Sequence, residues 1–292
     1  MNDFSTLPPL KRVIETHGLL ARKSLGQHFL LDPGITDTIV RYAGNIDDCN
    51  VIEIGPGPGG LTRSLLAAGA KQLFVVEKDD RCITIMQQLQ SVAGGRLQLI
   101  HGDALEVDLL RAVAAPRKIV ANLPYNAGTA MLLKWLGEIY LSSPTGGRGY
   151  ESLTLMFQKE VAERITANPG CKDYGRLSVI SQWLCDCRYD MELPPQAFTP
   201  SPKVSSAVVT LTPRPVPLVA VSKEVLETVV AKAFGQRRKM LRSALKGLAI
   251  PTDKLLEAAE IDGSQRAEQL DVVTLARLAL VYQQLSSDIK MS

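Results

Sequence analysis

The amino-acid sequence predicts an α/β fold: a doubly wound, mostly parallel sheet with an antiparallel edge hairpin, followed by a small all-helical domain. Three observations carry this. Short apolar runs of strand length alternate with helical patterns from about residue 35 onward. Two alternating stretches, 185–193 and 204–212, then follow each other with no long helix between them. Beyond the proline run Pro213-Arg214-Pro215-Val216-Pro217 only helical periodicity remains.

Taken in order, 35–43 reads as helix, 51–54 as a buried strand, 60–68 as helix, 73–76 as strand and 79–90 as helix. The alternation continues with a strand at 97–100, a short segment before Pro116, a strand at 118–121, a helix at 130–139 and a strand at 153–157. Strands joined through helices need crossover connections, which build a parallel sheet covered on both faces. The stretches 185–193 and 204–212 pair instead as an edge hairpin. Alternating prolines sustain neither helix nor central strand, so 213–217 is read as a stiff connector. The resulting division is 1–214 for the α/β domain with a basic N-terminal extension, and 215–292 for the helical domain. The Ser-, Pro- and Gly-rich residues 142–150 read as a surface loop without an assigned role.

Composition fits this picture. The chain has 292 residues, 46% hydrophobic and 22% charged, which excludes disordered and fibrous classes. A net charge of +3 is too small to specify a nucleic-acid partner, so clustering decides. Five scattered cysteines form no Cys-x-x-Cys pair and have no nearby His cluster, which predicts a reducing, cytoplasmic setting and no metal. Cys185 and Cys187 alternate as ordinary strand residues do. No secretory or membrane-spanning run is apparent, since the longest uncharged apolar-rich run, 119–133, holds Asn, Pro and Gly.

The first strand leads into Glu53-Ile54-Gly55-Pro56-Gly57-Pro58-Gly59-Gly60, and the next ends at Glu77. This spacing matches a dinucleotide fingerprint. The prolines argue against that ligand: a pyrophosphate needs loop N–H groups, and Pro56 and Pro58 each delete one. The loop suits a cofactor without phosphates, such as S-adenosylmethionine. Glycines let the backbone approach it closely, Glu77 accepts from the ribose hydroxyls, and Glu53 offers an acidic wall to its sulfonium and ammonium charges. Asp103, followed by Ala104 after the third strand, faces the adenine amino group. A tight turn at the glycines, or an N-cap at Asp103, would each be unremarkable alone. Three strand tips at one crevice favour a ligand.

The fourth strand ends in Asn122-Leu123-Pro124-Tyr125. This chemistry fits an exocyclic amine. The Asn122 side-chain oxygen and the Leu123 carbonyl can accept the two N6 hydrogens of adenine and aim its lone pair at a methyl group. Pro124 stiffens the segment, and Tyr125 offers a stacking face to an extruded base.

With these motifs in place, the chain resembles the small-subunit (16S) ribosomal RNA adenine N6,N6-dimethyltransferases, a family related to the macrolide-resistance rRNA methylases. The resemblance covers nearly the whole chain. It rests on Lys23-Ser24-Leu25-Gly26-Gln27-His28-Phe29-Leu30, the glycine loop, Glu77, Asp103-Ala104 and Asn122 to Tyr125. It continues through Tyr174-Gly175-Arg176-Leu177-Ser178-Val179, Phe198-Thr199-Pro200-Ser201-Pro202-Lys203-Val204 and Ala233-Phe234-Gly235-Gln236-Arg237-Arg238-Lys239.

The resemblance implies a Rossmann-like class I methyltransferase sheet and S-adenosylmethionine as cofactor. It also implies dimethylation of two adjacent adenosines in the 3′-terminal hairpin loop of small-subunit rRNA, within an immature ribosomal subunit. It assigns Gln27 and His28 to the cofactor's methionine end, Gly55 to the cofactor loop, Glu77 to the ribose and Asp103 to adenine. Leu30, Glu53, Gly57, Lys78, Ala104 and Asn122 complete the cofactor-binding set. Asn122, Leu123, Pro124 and Tyr125 go to the target amine, and Phe198 becomes the second stacking face. Members usually carry Asn where this chain has His28, and imidazole still donates a hydrogen bond.

Charge placement agrees with an RNA partner. Residues 232–246 hold six basic residues (Lys232, Arg237, Arg238, Lys239, Arg242, Lys246) and no acid, and Lys11, Arg12, Arg22 and Lys23 form a second group. The RNA-binding set is Arg22, Lys23, Lys203, Arg237, Arg238, Lys239 and Arg242, acting in a monomer without membrane or metal partners. Alternatives are a large-subunit rRNA methylase of the macrolide-resistance type, a non-catalytic RNA-binding assembly factor, and a nicotinamide oxidoreductase. An intact Asn122–Tyr125 segment argues against the assembly factor, and the two loop prolines argue against the oxidoreductase.

Overall fold

The structure, a computed structural model, describes residues 7–19, 27–143 and 149–291. Its chain folds into two compact units, one of residues 1–138, 149–162 and 188–212 and the other of residues 139–148, 163–187 and 213–292. The division near residue 213 coincides with the start of the proline run. The second unit also takes in residues 163–187, which the sequence pattern assigns to the first.

The first unit is built on strands β2 (Asn50–Ile54), β3 (Gln72–Glu77), β4 (Leu97–His101), β5 (Arg117–Asn122), β6 (Ser152–Gln158), β7 (Cys185–Leu193) and β9 (Ser206–Pro213). They form one seven-stranded sheet in the order β4-β3-β2-β5-β6-β9-β7. β2 pairs in parallel with both β3 and β5, while β9 runs antiparallel to β6 and closes the sheet with β7. This is the mixed sheet expected from the alternation of strands and helices. Its central strands lie between helices on both faces, so Val51, Ile52, Val75, Val76, Ile119 and Val120 are almost completely buried.

The order reverses at β2, whose neighbours β3 and β5 lead to opposite edges. Ligands of such sheets bind outside the carboxyl ends of the strands flanking that reversal. Here those ends are Ile54, Glu77 and Asn122. α1 (Leu10–Thr16) and α2 (Pro33–Tyr42) precede β2, and α3 (Gly60–Ala67) follows it. α4 (Asp80–Val92) follows β3 with Asp79 as its N-cap, accepting from the Arg81 N–H. α5 (Leu109–Ala112) and α6 (Gly128–Ser142) come before and after β5, and α7 (Lys159–Thr166) follows β6.

Two short elements escaped the periodicity. β1 (Phe29–Leu30) and β8 (Phe198–Thr199) pair antiparallel, Phe29 opposite Thr199 and Leu30 opposite Phe198. Two residues cannot display an alternation, so nothing in the pattern announces them.

The second unit contains α8 (Arg176–Leu184), α9 (Lys223–Gly235), α10 (Leu241–Ala244), α11 (Thr252–Ala258) and α12 (Val272–Met291). Its core includes Trp183, Leu226, Val229, Val230, Leu275 and Leu278. The Trp183 indole N–H donates to the Val219 carbonyl at 2.9 Å, as a buried indole requires. Among the described residues no helix is long and apolar enough to cross a membrane, and no group of three or more His, Cys, Asp or Glu could hold a metal.

Candidate active site

One cleft at the carboxyl end of the sheet brings together Gln27, His28, Leu30, Glu53, Gly55, Gly57, Glu77, Lys78, Asp103, Ala104 and Asn122 through Tyr125. Four strand ends and the β1 segment therefore meet at one place, as the motif spacing implied.

The loop between β2 and α3 is shaped by its glycines. Gly57 has φ of 54°, and a Cβ there would stand 3.0 Å from the Phe29 ring. A Cβ on Gly60 would come within 2.5 Å of the Leu30 carbonyl oxygen. The β1 residues thus lie directly on the loop, and a side chain at either position would push them away.

The acids differ in their surroundings. Glu77 Oε1 accepts the main-chain N–H groups of Lys78 and Asp79, both at 2.8 Å, and Oε2 accepts that of Gly57 at 3.4 Å. Burial nonetheless raises its pKa above the ordinary value, against these donors. Glu53 is fully enclosed. Burial pushes its carboxyl up to about 8, a hydrogen bond from Thr62 opposes the shift, and the charge of Glu77 adds to it. Its Oε2 atom is buried without a hydrogen-bond partner. Asp103 is held below the usual carboxylate range, chiefly by the Leu105 N–H at 2.9 Å and then by the Lys78 ammonium at 3.1 Å. Lys78 therefore enters the cleft paired with Asp103.

At the end of β5 the Asn122 amide nitrogen donates to the His28 carbonyl at 3.0 Å. With Nδ2 so engaged, Oδ1 is the end of the amide that remains as acceptor. The Tyr125 hydroxyl is hydrogen-bonded to Ser206 Oγ, which fixes the ring through β9. Beside it stands His28, its ring centroid 5.1 Å from that of Tyr125 and tilted by 32°. His28 Nδ1 lies 2.8 Å from the Pro200 carbonyl oxygen. A carbonyl can only accept, so Nδ1 carries the hydrogen.

Phe198, expected as the second stacking face, lies behind the cleft surface. It is 3% exposed, belongs to the hydrophobic core and does not line the cleft. It stands opposite Leu30 in the β1–β8 ladder, and Leu30 does line the cleft. Leu123 is likewise buried, which leaves its main chain as the part available for the role assigned to it.

Sequence reasoning also missed contributors. Met131 lines the cleft from α6 (Gly128–Ser142), and Phe29 covers the glycine loop. Asp79, held at a pKa of about 2 chiefly by hydrogen bonding to Arg81, also accepts from Gln27 Nε2 at 3.0 Å and positions it. Asp79 sits two residues after Glu77, a proximity that invites a surface reading although the residue is 6% exposed.

Among the RNA-directed residues, Lys203, Arg237, Arg238, Lys239 and Arg242 are exposed. Arg237 is partly committed, with Nε 2.9 Å from Glu268 Oε2 and Nη2 3.1 Å from the Cys171 carbonyl. α9 ends at Gly235, so the Gln236–Lys239 motif lies in a turn, where the sequence pattern predicts helix. Arg22 and Lys23 lie outside the described residues.

Comparison with known proteins decides the family. The model of the family described as "Ribosomal RNA adenine dimethylase" matches residues 18–284. The chain belongs to the ribosomal RNA adenine dimethylase family. It is 54% identical over 275 residues to the Ribosomal RNA small subunit methyltransferase A of Jannaschia sp., covering 94% of this chain and 93% of that one. It is 52% identical over 273 residues to the protein of the same name from Rhodospirillum rubrum, covering 94% and 92%. Among solved structures it resembles a dimethyladenosine transferase from Plasmodium falciparum, with a TM-score of 0.73, 25% identity and coverage of 89% and 98%. It also resembles the 23S rRNA methyltransferase ErmE, with a TM-score of 0.64, 25% identity and coverage of 88% and 100%.

The cleft of this dimethylase fits S-adenosylmethionine. Gly55, in the cleft, has φ of 64° and a Cβ there would meet nothing within 4 Å, so the loop backbone lies open to a ligand at that point. Glu53 keeps a buried, unpartnered carboxyl oxygen, a group that a cationic ligand would satisfy. Glu77 is fixed at a strand end by main-chain donors, ready to accept from hydroxyls.

Proposed function

We propose that the protein transfers methyl groups from S-adenosylmethionine to N6 of two adjacent adenosines in the 3′-terminal hairpin loop of small-subunit rRNA, dimethylating each. It is an rRNA (adenine-N6,N6)-dimethyltransferase. The observation that carries this reading is the orientation of Asn122 at the end of β5, its amide nitrogen tied to His28 and its oxygen left as acceptor beside the cofactor cleft. When bound, S-adenosylmethionine supplies an electrophilic methyl group on sulfonium.

The residues of the chain do the rest by placement. Asn122 Oδ1 and a main-chain carbonyl at Leu123 accept the N6 hydrogens, which draws the nitrogen toward tetrahedral geometry and directs its lone pair. Tyr125 presents a ring to a base removed from its stack. The cationic amine that results is acidic enough to lose its proton to water, so no strong general base is needed, and positioning is most of the catalysis.

Single-stranded loop bases are the ones that can be splayed out and stacked in this way. The names of the relatives at 54% and 52% identity favour the small subunit. In this reading the acceptor is an immature subunit, the enzyme works as a cytoplasmic monomer, and residues 215–292 serve rRNA binding through Arg237, Arg238, Lys239 and Arg242. Lys203, with Arg22 and Lys23, adds contacts from the N-terminal domain of residues 1–214.

The resemblance to ErmE supports a second reading, an adenine methylase of large-subunit rRNA. Incubating the protein with radiolabelled cofactor and each undermethylated subunit, then mapping the modified nucleosides, separates the two. Dimethyladenosine confined to the small-subunit hairpin is the expected result. Label in large-subunit RNA alone would reverse the assignment.

A further inference from the structure

Asn122 can orient an amine only if its own amide is kept from rotating, and the group that holds it is a main-chain carbonyl, that of His28. A carbonyl in an extended segment is ordinarily taken up by its neighbouring strand. Here the two-residue ladder pairs Leu30 with Phe198 and Phe29 with Thr199, and His28 and Pro200 lie just beyond its end. Proline has no N–H. Pro200 therefore offers no main-chain donor to the His28 carbonyl, which accepts from Asn122 Nδ2 at 3.0 Å. In the reverse direction, the Pro200 carbonyl accepts from the His28 ring at 2.8 Å. The side chain of His28 thus straps its own segment to Pro200.

We infer that His28 is a positioning residue for methyl transfer: its ring N–H, anchored on Pro200, holds its own carbonyl where it fixes the Asn122 amide. This goes beyond a cofactor contact for His28 and rests on the proposed role of Asn122. The ring also stands 5.1 Å from Tyr125, so a stacking role has to be distinguished from a hydrogen-bonding one.

Three substitutions separate them. His28→Asn keeps an N–H donor of similar reach and removes the ring, His28→Phe keeps a ring and removes the donor, and His28→Ala removes both. Two readouts are needed in the full chain. The first is hydrogen-exchange protection of the Asn122 side-chain amide, followed by NMR on labelled protein without RNA. It is expected to fall in the Ala and Phe variants and to persist in Asn. The second is kcat at saturating cofactor and undermethylated small subunits, together with cofactor Kd. A slackened amide misplaces the nucleophile, so kcat is expected to fall about 10- to 100-fold in the Ala and Phe variants. Because kcat is read at saturating cofactor, any weakening of the cofactor contact assigned to His28 appears in Kd and leaves the fall in kcat to report on the strap. Asn restores turnover.

Protection retained in His28→Ala, turnover preserved by Phe but not by Asn, or a loss confined to cofactor Kd would each overturn the inference. Wild-type protein inactive on every rRNA would instead sink the proposed function, and the amide readout would still judge the strap by itself.

Discussion

Gly57 donates its main-chain N–H to Glu77 Oε2 at 3.4 Å, joining the loop after β2 to the tip of β3. With the Lys78 and Asp79 N–H groups on the other oxygen, the Glu77 carboxylate is aimed by the backbone before any ligand arrives. Preorganisation of this kind lowers the cost of binding. Glu77→Ala should therefore weaken S-adenosylmethionine binding by about 10- to 100-fold, the worth of hydrogen bonds to a charged group. Calorimetric titration checks it. Unchanged affinity would detach Glu77 from the ribose.

Glu53 predicts a pH dependence. Its carboxyl titrates near 8 in the folded chain because it is buried, against an ordinary value of 4.5. The folded state therefore holds a proton that the unfolded state releases, and this contribution to stability is complete below the unfolded pKa. It is lost progressively as pH rises from 4.5 toward 8. The melting temperature of the ligand-free protein should fall over that interval, and Glu53→Gln should remove the part of the fall due to this group. A cationic ligand favours the carboxylate, so cofactor binding near neutrality should release a proton. Calorimetry in buffers of different ionisation enthalpy would detect that release, and its absence would place the cofactor's charges away from Glu53.

These two acids show what is legible in the sequence. Both end or flank strands whose apolar runs are plain, and the glycine–proline loop limits the ligand, so sheet, cleft and cofactor chemistry can be read from the spacing. Phe198 cannot. It stands in a two-residue ladder formed with a segment more than 160 residues away in sequence, below the length at which periodicity speaks. The His28 strap is hidden for the same reason, because it exists only when Pro200 is brought beside it. Asp79 carries an N-cap signal but gives no sign that it holds Gln27 in the cleft. The Arg237–Lys239 turn reads as helix because α9 precedes it without an obvious break before Gly235.

The basic turn after α9 gives a prediction in salt dependence. Arg237, Arg238, Lys239 and Arg242 are all exposed, and Arg237 is in addition bonded to Glu268 and the Cys171 carbonyl. Replacing Arg238, Lys239 and Arg242 together with Ala should reduce the slope of log affinity for rRNA against log salt by about 2 to 3, near one for each phosphate no longer neutralised. Cofactor affinity should not change. Arg237→Ala should in addition lower the melting temperature, since it leaves Glu268 without that partner. A triple variant with the wild-type slope would remove this turn from the RNA interface.

Asn122 supplies the most demanding test. Its side chain is oriented by the His28 carbonyl, and its oxygen is the acceptor available to an incoming amine. Removing one such preorganised group ordinarily costs about 10²- to 10³-fold in kcat. Asn122→Ala should lose transfer by at least that order. In the proposed site the cofactor would also be held by Glu77 and the glycine loop, so its Kd should stay near the wild-type value, and the loss should appear in kcat. Asn122→Asp offers a sharper comparison. A carboxylate retains an acceptor oxygen but cannot donate to the His28 carbonyl, and repulsion between the two oxygens would turn it away. That variant should be as impaired as Ala. If it turns over like wild type in single-turnover assays, acceptance by Oδ1 alone suffices and the fixed orientation of the amide contributes nothing to catalysis.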